Sequence, residues 1–505
     1  MLFSPSFEDF AATYDKGEAS VLSASLVADL ETPVAAYLKL SAGGTLPTFL
    51  LESVEGGATR GRYSMIGLKP DLIWRCRDGR AEINRAAQRA SVFAADDRAP
   101  LDSLRALIAE SAIALPPGLP PMAAGIFGYL GYDMVRQMER LPGAPQDALD
   151  LDDAILLRPT LMVVFDSVRD ELSLITPVRP AKAISAKVAY EAAVERIEEA
   201  LAALDEPLPR DSGPDVTTLP APTPVSNTAP ERFKAMVERA KDYIRAGDIF
   251  QVVLSQRFDA PFTLPALSLY RALRRVNPSP YLCFLDFLDF QIVCSSPEIL
   301  VRVREGKVTV RPIAGTRRRG ATPAEDRALA AELLADPKER AEHLMLLDLG
   351  RNDAGRVSAI GSVSVTDSYF LEYYSQVMHI VSHVEGTLDP KHDALDALVA
   401  AFPAGTVSGA PKVRAMEIID ELERDKRGPY AGCIGYFGAD GEMDTCIVLR
   451  TALVKNGRMS VQAGAGIVYD SDPQSEQVEC VNKAKAAFRA AEEAVRFAAT
   501  ARRGQ

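Results

Sequence analysis

The sequence predicts a mixed α/β protein with large antiparallel β-sheets packed together and helices outside. Short β-rich runs recur in both halves of the chain, without the regular alternation of strand and helix that a doubly wound parallel sheet requires. Hydrophobic residues make up 47% and charged residues 25% of the chain, the balance of a globular protein. Its 505 residues exceed what one ordinary core holds, so at least two domains or one large composite domain are expected.

In chain order, residues 48–53 and 161–165 read as strands of an N-terminal region spanning 1–206. Residues 180–204 read as a helix, rich in Ala and Glu with apolar residues three and four apart. A linker is expected over 207–230, where Pro207, Pro209, Pro214, Pro220, Pro222, Pro224 and Pro230 stand among small polar residues. Beyond it, 231–499 form the second region. Helix periodicity returns over 231–246, and strand-like runs follow at 250–254, 281–285, 292–294, 308–310, 446–452 and 459–462. Helices are expected at 323–335 with Thr322 as N-cap, and at 338–349, 394–401, 412–424 and 473–499.

The net charge of −12 argues against nucleic-acid binding, which needs a basic face. Residues 1–15 lack the basic segment and apolar core of a signal peptide, and no apolar run is long enough to span a membrane. A cytoplasmic location is expected. The six cysteines contain no Cys-x-x-Cys pair, which suits buried thiols in a reducing compartment better than a disulfide frame or a zinc site. With four histidines in the chain, any metal would be held mainly by carboxylates.

The most informative stretch is Phe402-Pro-Ala-Gly-Thr-Val-Ser-Gly-Ala-Pro-Lys412. Gly405 and Gly409 permit close approach to the backbone, and Thr406 and Ser408 bring hydroxyls, as an anion site before a helix would need. A proline-punctuated turn between helices fits the same letters. Glu339 and Glu342 fall one turn apart on one helix. Glu476 and Glu479 do so on another, where Lys483 continues their face and Val478, Val481, Ala484, Phe488 and Ala491 mark the expected buried stripe. Such pairs could hold Mg²⁺ or be solvated charged faces. Ile313-Ala-Gly-Thr-Arg-Arg-Arg-Gly320 looks like a tight loop that could bind an anion or be a basic surface turn. Gln462-Ala-Gly-Ala-Gly-Ile467 places small residues just after a strand, with the wrong spacing for a dinucleotide fingerprint. Arg450 could clamp a carboxylate or be a surface charge, and His379 lies in an apolar run where a core role is equally readable.

Together these segments resemble the chorismate-utilising enzymes, most closely the anthranilate synthase component I group. The likeness runs over about residues 231–487 and, more weakly, 32–67. It is carried by Pro312-Ile-Ala-Gly-Thr-Arg317, Glu342-His-Leu-Met-Leu-Leu-Asp-Leu-Gly-Arg-Asn-Asp353, Val377-Met-His-Ile-Val-Ser382, Gly405-Thr-Val-Ser-Gly-Ala-Pro-Lys412 and Glu479-Cys-Val-Asn-Lys483. The resemblance implies Glu342 and Glu479 as direct Mg²⁺ ligands, supported by Glu339 and Glu476. It implies a chorismate-binding set of Gly315, Thr316, Tyr430, Arg450, Gly464, Ala465, Gly466 and Lys483. Glu298 would be the general acid, with Thr406 and His379 completing the catalytic group.

The implied reaction adds ammonia to C2 of chorismate, expels the C4 hydroxyl, and then eliminates pyruvate to leave anthranilate, the first step of tryptophan biosynthesis. Members that add water carry a lysine where Gln251 stands, and aminodeoxychorismate synthases typically carry one where Ala314 stands. Glu52 and Ser53, with Pro280, Tyr281 and Leu282, resemble the group's tryptophan feedback site. No cysteine sits in a glutaminase elbow with a downstream histidine, so a separate glutamine amidotransferase subunit is expected to supply ammonia. The alternatives are an aminodeoxychorismate synthase component I and a non-catalytic relative that senses an aromatic acid.

Overall fold

The computed structural model describes residues 3–55, 59–143, 145–209, 222–374 and 377–500; the middle of the expected linker, 210–221, lies outside the described residues. The strand ladders are antiparallel, and they cross the proline-rich stretch. Strand Tyr281–Asp286 pairs with Thr48–Glu55, with Leu282 opposite Glu52. Strand Cys433–Gly438 pairs with Gly125–Leu130. One hydrogen-bonded network therefore joins residues from both regions. An apolar core lies across the same junction, with Phe49, Leu51 and Phe127 packed with Cys283, Ile292, Ile434 and Cys446.

Local chemistry sets the helix starts. Helix Pro323–Ala335 begins with proline, and the Thr322 side chain accepts from Glu325 N, as expected. Asp336 caps helix Pro337–Gly355 by accepting from Lys338 N and Glu339 N. Helix Ala394–Ala401 opens with an Asp393–Asp396 capping box and stops at Phe402, just before Pro403.

Several expectations need correction. The helix expected from residue 180 is Ala186–Asp205, because Ser185 supplies its N-cap. The strand expected over 446–452 is two strands, Met443–Ile447 and Thr451–Lys455, broken where Arg450 takes φ +50°. The run 464–466 lies inside strand Arg458–Ile467 instead of following it. On helix Pro473–Thr500, Val478 is exposed and Gln477 and Cys480 take its place in the buried stripe with Ala484, Phe488 and Ala491. Residues 313–318 form a strand, and the three arginines are engaged: Arg317 pairs with Glu332, Asp336 and Glu339, Arg318 with Glu325, and Arg319 with Asp326. They tie the strand to two helix N-termini, so they do not offer a free anion site.

Candidate functional site

The site is built where the second region's sheet meets its helices. Strand Ile313–Arg318 pairs with Val377–Thr387, which sets Thr316 opposite His379. The ladder is irregular at Gly315, whose φ is +71°. A side chain there would be strained, and its Cβ would press on Glu339 Oε2 at 3.2 Å. The Gly315 carbonyl and Thr316 Oγ1 each lie 3.0 Å from His379 Nδ1. A carbonyl can only accept, so Nδ1 holds the proton and Nε2 the lone pair. Nε2 is buried and unpartnered among the described residues. Burial, then the Arg450 charge, pulls the ring's pKa down to about 4, so the imidazole is neutral near pH 7.

Glu298 follows strand Phe290–Ser296 and is buried. Burial lifts its pKa to about 8, offset in part by the hydroxyl of Thr406 and the charge of Arg450. Thr406 Oγ1 donates to Glu298 Oε1 at 3.1 Å. Near pH 7 this carboxyl is therefore mostly protonated. Arg450 is itself desolvated, which holds its guanidinium below the usual value, with Tyr374 and Glu298 compensating in part. Acid, cation and neutral imidazole thus share one electrostatic neighbourhood.

A buried arginine that no motif in the sequence marks supports this arrangement. Arg427 donates to the carbonyls of Val407 and Val253, each at 2.7 Å, and pairs with Glu423 at 2.6 Å. It fixes the turn Gly405–Val407 that presents Thr406. Its Glu–Arg spacing of four is readable, but the helix ends at Leu422, and only the fold turns the pair inward.

Strand Gln251–Pro261 runs against Arg458–Ile467, with Ser255 opposite Gly464 and Val253 opposite Gly466. A Cβ on Gly464 would meet Tyr430 Oη at 2.7 Å, and one on Gly466 would overlap the Gln251 amide. The small residues therefore let Tyr430 and Gln251 lie against the strand. Lys483 Nζ donates to Gly464 O at 2.9 Å and pairs with Glu479 at 2.7 Å.

The four glutamates come from two helices. Burial, followed by the charges of Glu339 and Glu479, raises the pKa of Glu342. Burial also raises that of Glu476, where the Glu479 charge adds to it. Glu339 Oε1 accepts from Arg317 at 2.8 Å. Hard oxygen donors that repel one another fit a divalent cation of the Mg²⁺ type. Among the described residues no three of these carboxylates bring their oxygens within 4.8 Å of one another.

A separate cavity of about 850 Å³ is lined by Glu52, Ser53, Pro280 and Tyr281. Leu282 is not on it. Strand alternation turns Leu282 to the opposite face, into a core with Leu50 and Phe284. Glu52 is already engaged, accepting from Tyr270 at 2.5 Å and Arg274 at 2.8 Å. The cavity shares a wall with the Glu298 site. Pro297 and Ile299 line it, as does Tyr374, whose ring meets His379 edge-on at 5.5 Å.

The family described as chorismate binding enzyme matches residues 69–489. The chain is 56% identical to anthranilate synthase component 1 of Cereibacter sphaeroides over 502 residues, 99% of this chain and 100% of that one. It is 47% identical to the protein of that name from Thermus thermophilus, covering 93% of this chain and 97% of the other. Anthranilate synthase component I from Streptococcus pneumoniae superposes with a TM-score of 0.75 at 40% identity, over 92% of this chain and 99% of that one. The isochorismate synthase MenF of Escherichia coli shares the fold, with a TM-score of 0.70 at 19% identity over 96% and 98% of the two chains.

Proposed function

Since the chain belongs to the chorismate binding enzyme family, we propose that it is the ammonia-using subunit of an anthranilate synthase, turning chorismate and ammonia into anthranilate and pyruvate. The observation that supports this most is Glu298, a buried carboxyl held protonated beside Thr406 and Arg450. Its proton goes to the C4 hydroxyl of chorismate, which leaves as water while ammonia bonds to C2. Arg450 and Lys483 receive the substrate's carboxylates, and the small residues Gly464, Ala465 and Gly466, against which Tyr430 and Gln251 lie, border the substrate. In the second step the Nε2 lone pair of His379 assists loss of the C2 proton as the enolpyruvyl group departs as pyruvate. Mg²⁺, held by Glu342 and Glu479 with Glu339 and Glu476 in support, would neutralise the ring carboxylate. Gln251 stands where a water-activating lysine would be needed, and its amide cannot serve as that base.

The cavity beside Ser53, Glu52, Pro280 and Tyr281 takes tryptophan as a feedback inhibitor. An amidotransferase subunit supplies ammonia from glutamine, and the pair works in the cytoplasm. The name component 1 borne by the relatives is consistent with such a second component. The direct assay is anthranilate fluorescence from the purified chain with chorismate, Mg²⁺ and either ammonium or glutamine. Product with ammonium alone is expected. Fluorescence with glutamine alone would overturn the need for a partner, and tight chorismate binding without turnover would favour a sensing protein.

A further inference from the structure

Three cysteines that no spacing in the sequence connects meet inside the molecule. Cys283 on strand Tyr281–Asp286 lies directly opposite Cys294 on strand Phe290–Ser296. Cys446 comes from strand Met443–Ile447, and the three Sγ atoms lie within 4.8 Å of one another. Cys294 and Cys446 are fully buried, and Cys283 is 3% exposed. Cys283 also lines the cavity of about 850 Å³, together with Met65 and Met122 and with Arg302 and Arg311, which pair with Asp444 and Glu372. The reaction proposed above uses none of the three thiols.

We propose that Cys283, Cys294 and Cys446 form a three-sulfur site for a soft d¹⁰ cation of the copper(I) class, entered from that cavity. Soft thiolate donors select such ions, and three ligands suit a trigonal copper(I) centre. Zn²⁺ prefers a fourth ligand, and among the described residues no histidine or carboxylate joins the group. Mg²⁺ prefers oxygen and would not compete. The cation enters as copper(I), so no electron moves. Each thiol that ligates as thiolate gives its proton to solvent, and the cation's own charge offsets one of the negative charges gained. The inference is independent of the reaction assigned to the chain.

The test titrates the fully reduced, full-length chain anaerobically with acetonitrile-stabilised copper(I), in competition with a chromophoric copper(I) chelator. The chain is expected to withhold one ion, and Cys294→Ser and Cys446→Ser to lose it, while Cys76→Ser and Cys433→Ser keep it. Retention in both Cys294→Ser and Cys446→Ser, or no withheld ion in the parent, would overturn the site. X-ray absorption on the loaded parent keeps the proposal testable if a variant does not fold. Three sulfur neighbours are expected, and a shell of nitrogen or oxygen would refute it.

Discussion

In the proposed reaction the proton of Glu298 drives the first step. Its ordinary carboxyl pKa of 4.5 is raised to about 8 by burial, so the protonated form dominates below that value. If Glu298 must donate a proton, activity falls as pH rises through about 8. Removing the Thr406 hydroxyl takes away a bond that favours the ionised form. Thr406→Val should therefore move the alkaline limb of the kcat profile to higher pH. An unmoved limb would assign it to another group. Linkage gives a second readout. Between 4.5 and about 8 the native state holds a proton that the unfolded chain releases, so this group's contribution to stability declines as pH rises across that window. Glu298→Gln should remove that decline.

At the scale of elements, caps decide where the carboxylates stand. Asp336 caps the helix of Glu339 and Glu342 and also accepts from Arg317 at 2.7 Å. Asp336→Ala should cost about 1 kcal/mol of stability in chemical unfolding, and should raise the Mg²⁺ concentration needed for half-maximal turnover. Glu342→Gln and Glu479→Gln should abolish synthesis while the unfolding midpoint stays close to the parent's. Near-normal turnover of both at limiting Mg²⁺ would remove the metal assignment. Most elements were legible in the sequence because periodicity and caps are local: 323–335 and 394–401 lie where expected. What escaped depends on tertiary context. Nothing near Arg450 announces a left-handed residue between two strands, Gln477 outcompetes Val478 for burial, and Leu282 is turned from the cavity by a one-residue alternation. The arginines of 317–319 read as either an anion loop or a basic surface turn because their acidic partners lie on helices that only the fold brings back.

Across the whole molecule, ladders that join residues on both sides of the proline-rich stretch place the cavity of about 850 Å³ beside Pro297 and Ile299, which flank Glu298. Tyr374 touches both, lining the cavity and meeting His379. An occupant of the cavity would thus bear on the residues around Glu298. Ser53→Phe should crowd the part of the cavity beside residue 53, leave uninhibited turnover largely intact and remove the response to tryptophan. Undiminished inhibition in that variant would place the effector elsewhere. The central claim is that one centre performs two steps, with Glu298 serving the first and His379 the second. Single-turnover chromatography of chorismate with ammonium and Mg²⁺ tests it on the parent, Glu298→Gln and His379→Met. The parent should give anthranilate and pyruvate in equal amounts, Glu298→Gln should leave chorismate unconsumed, and His379→Met should accumulate the aminated, non-aromatic intermediate. Loss of amination in His379→Met, or a hydroxylated product from the parent, would contradict the account.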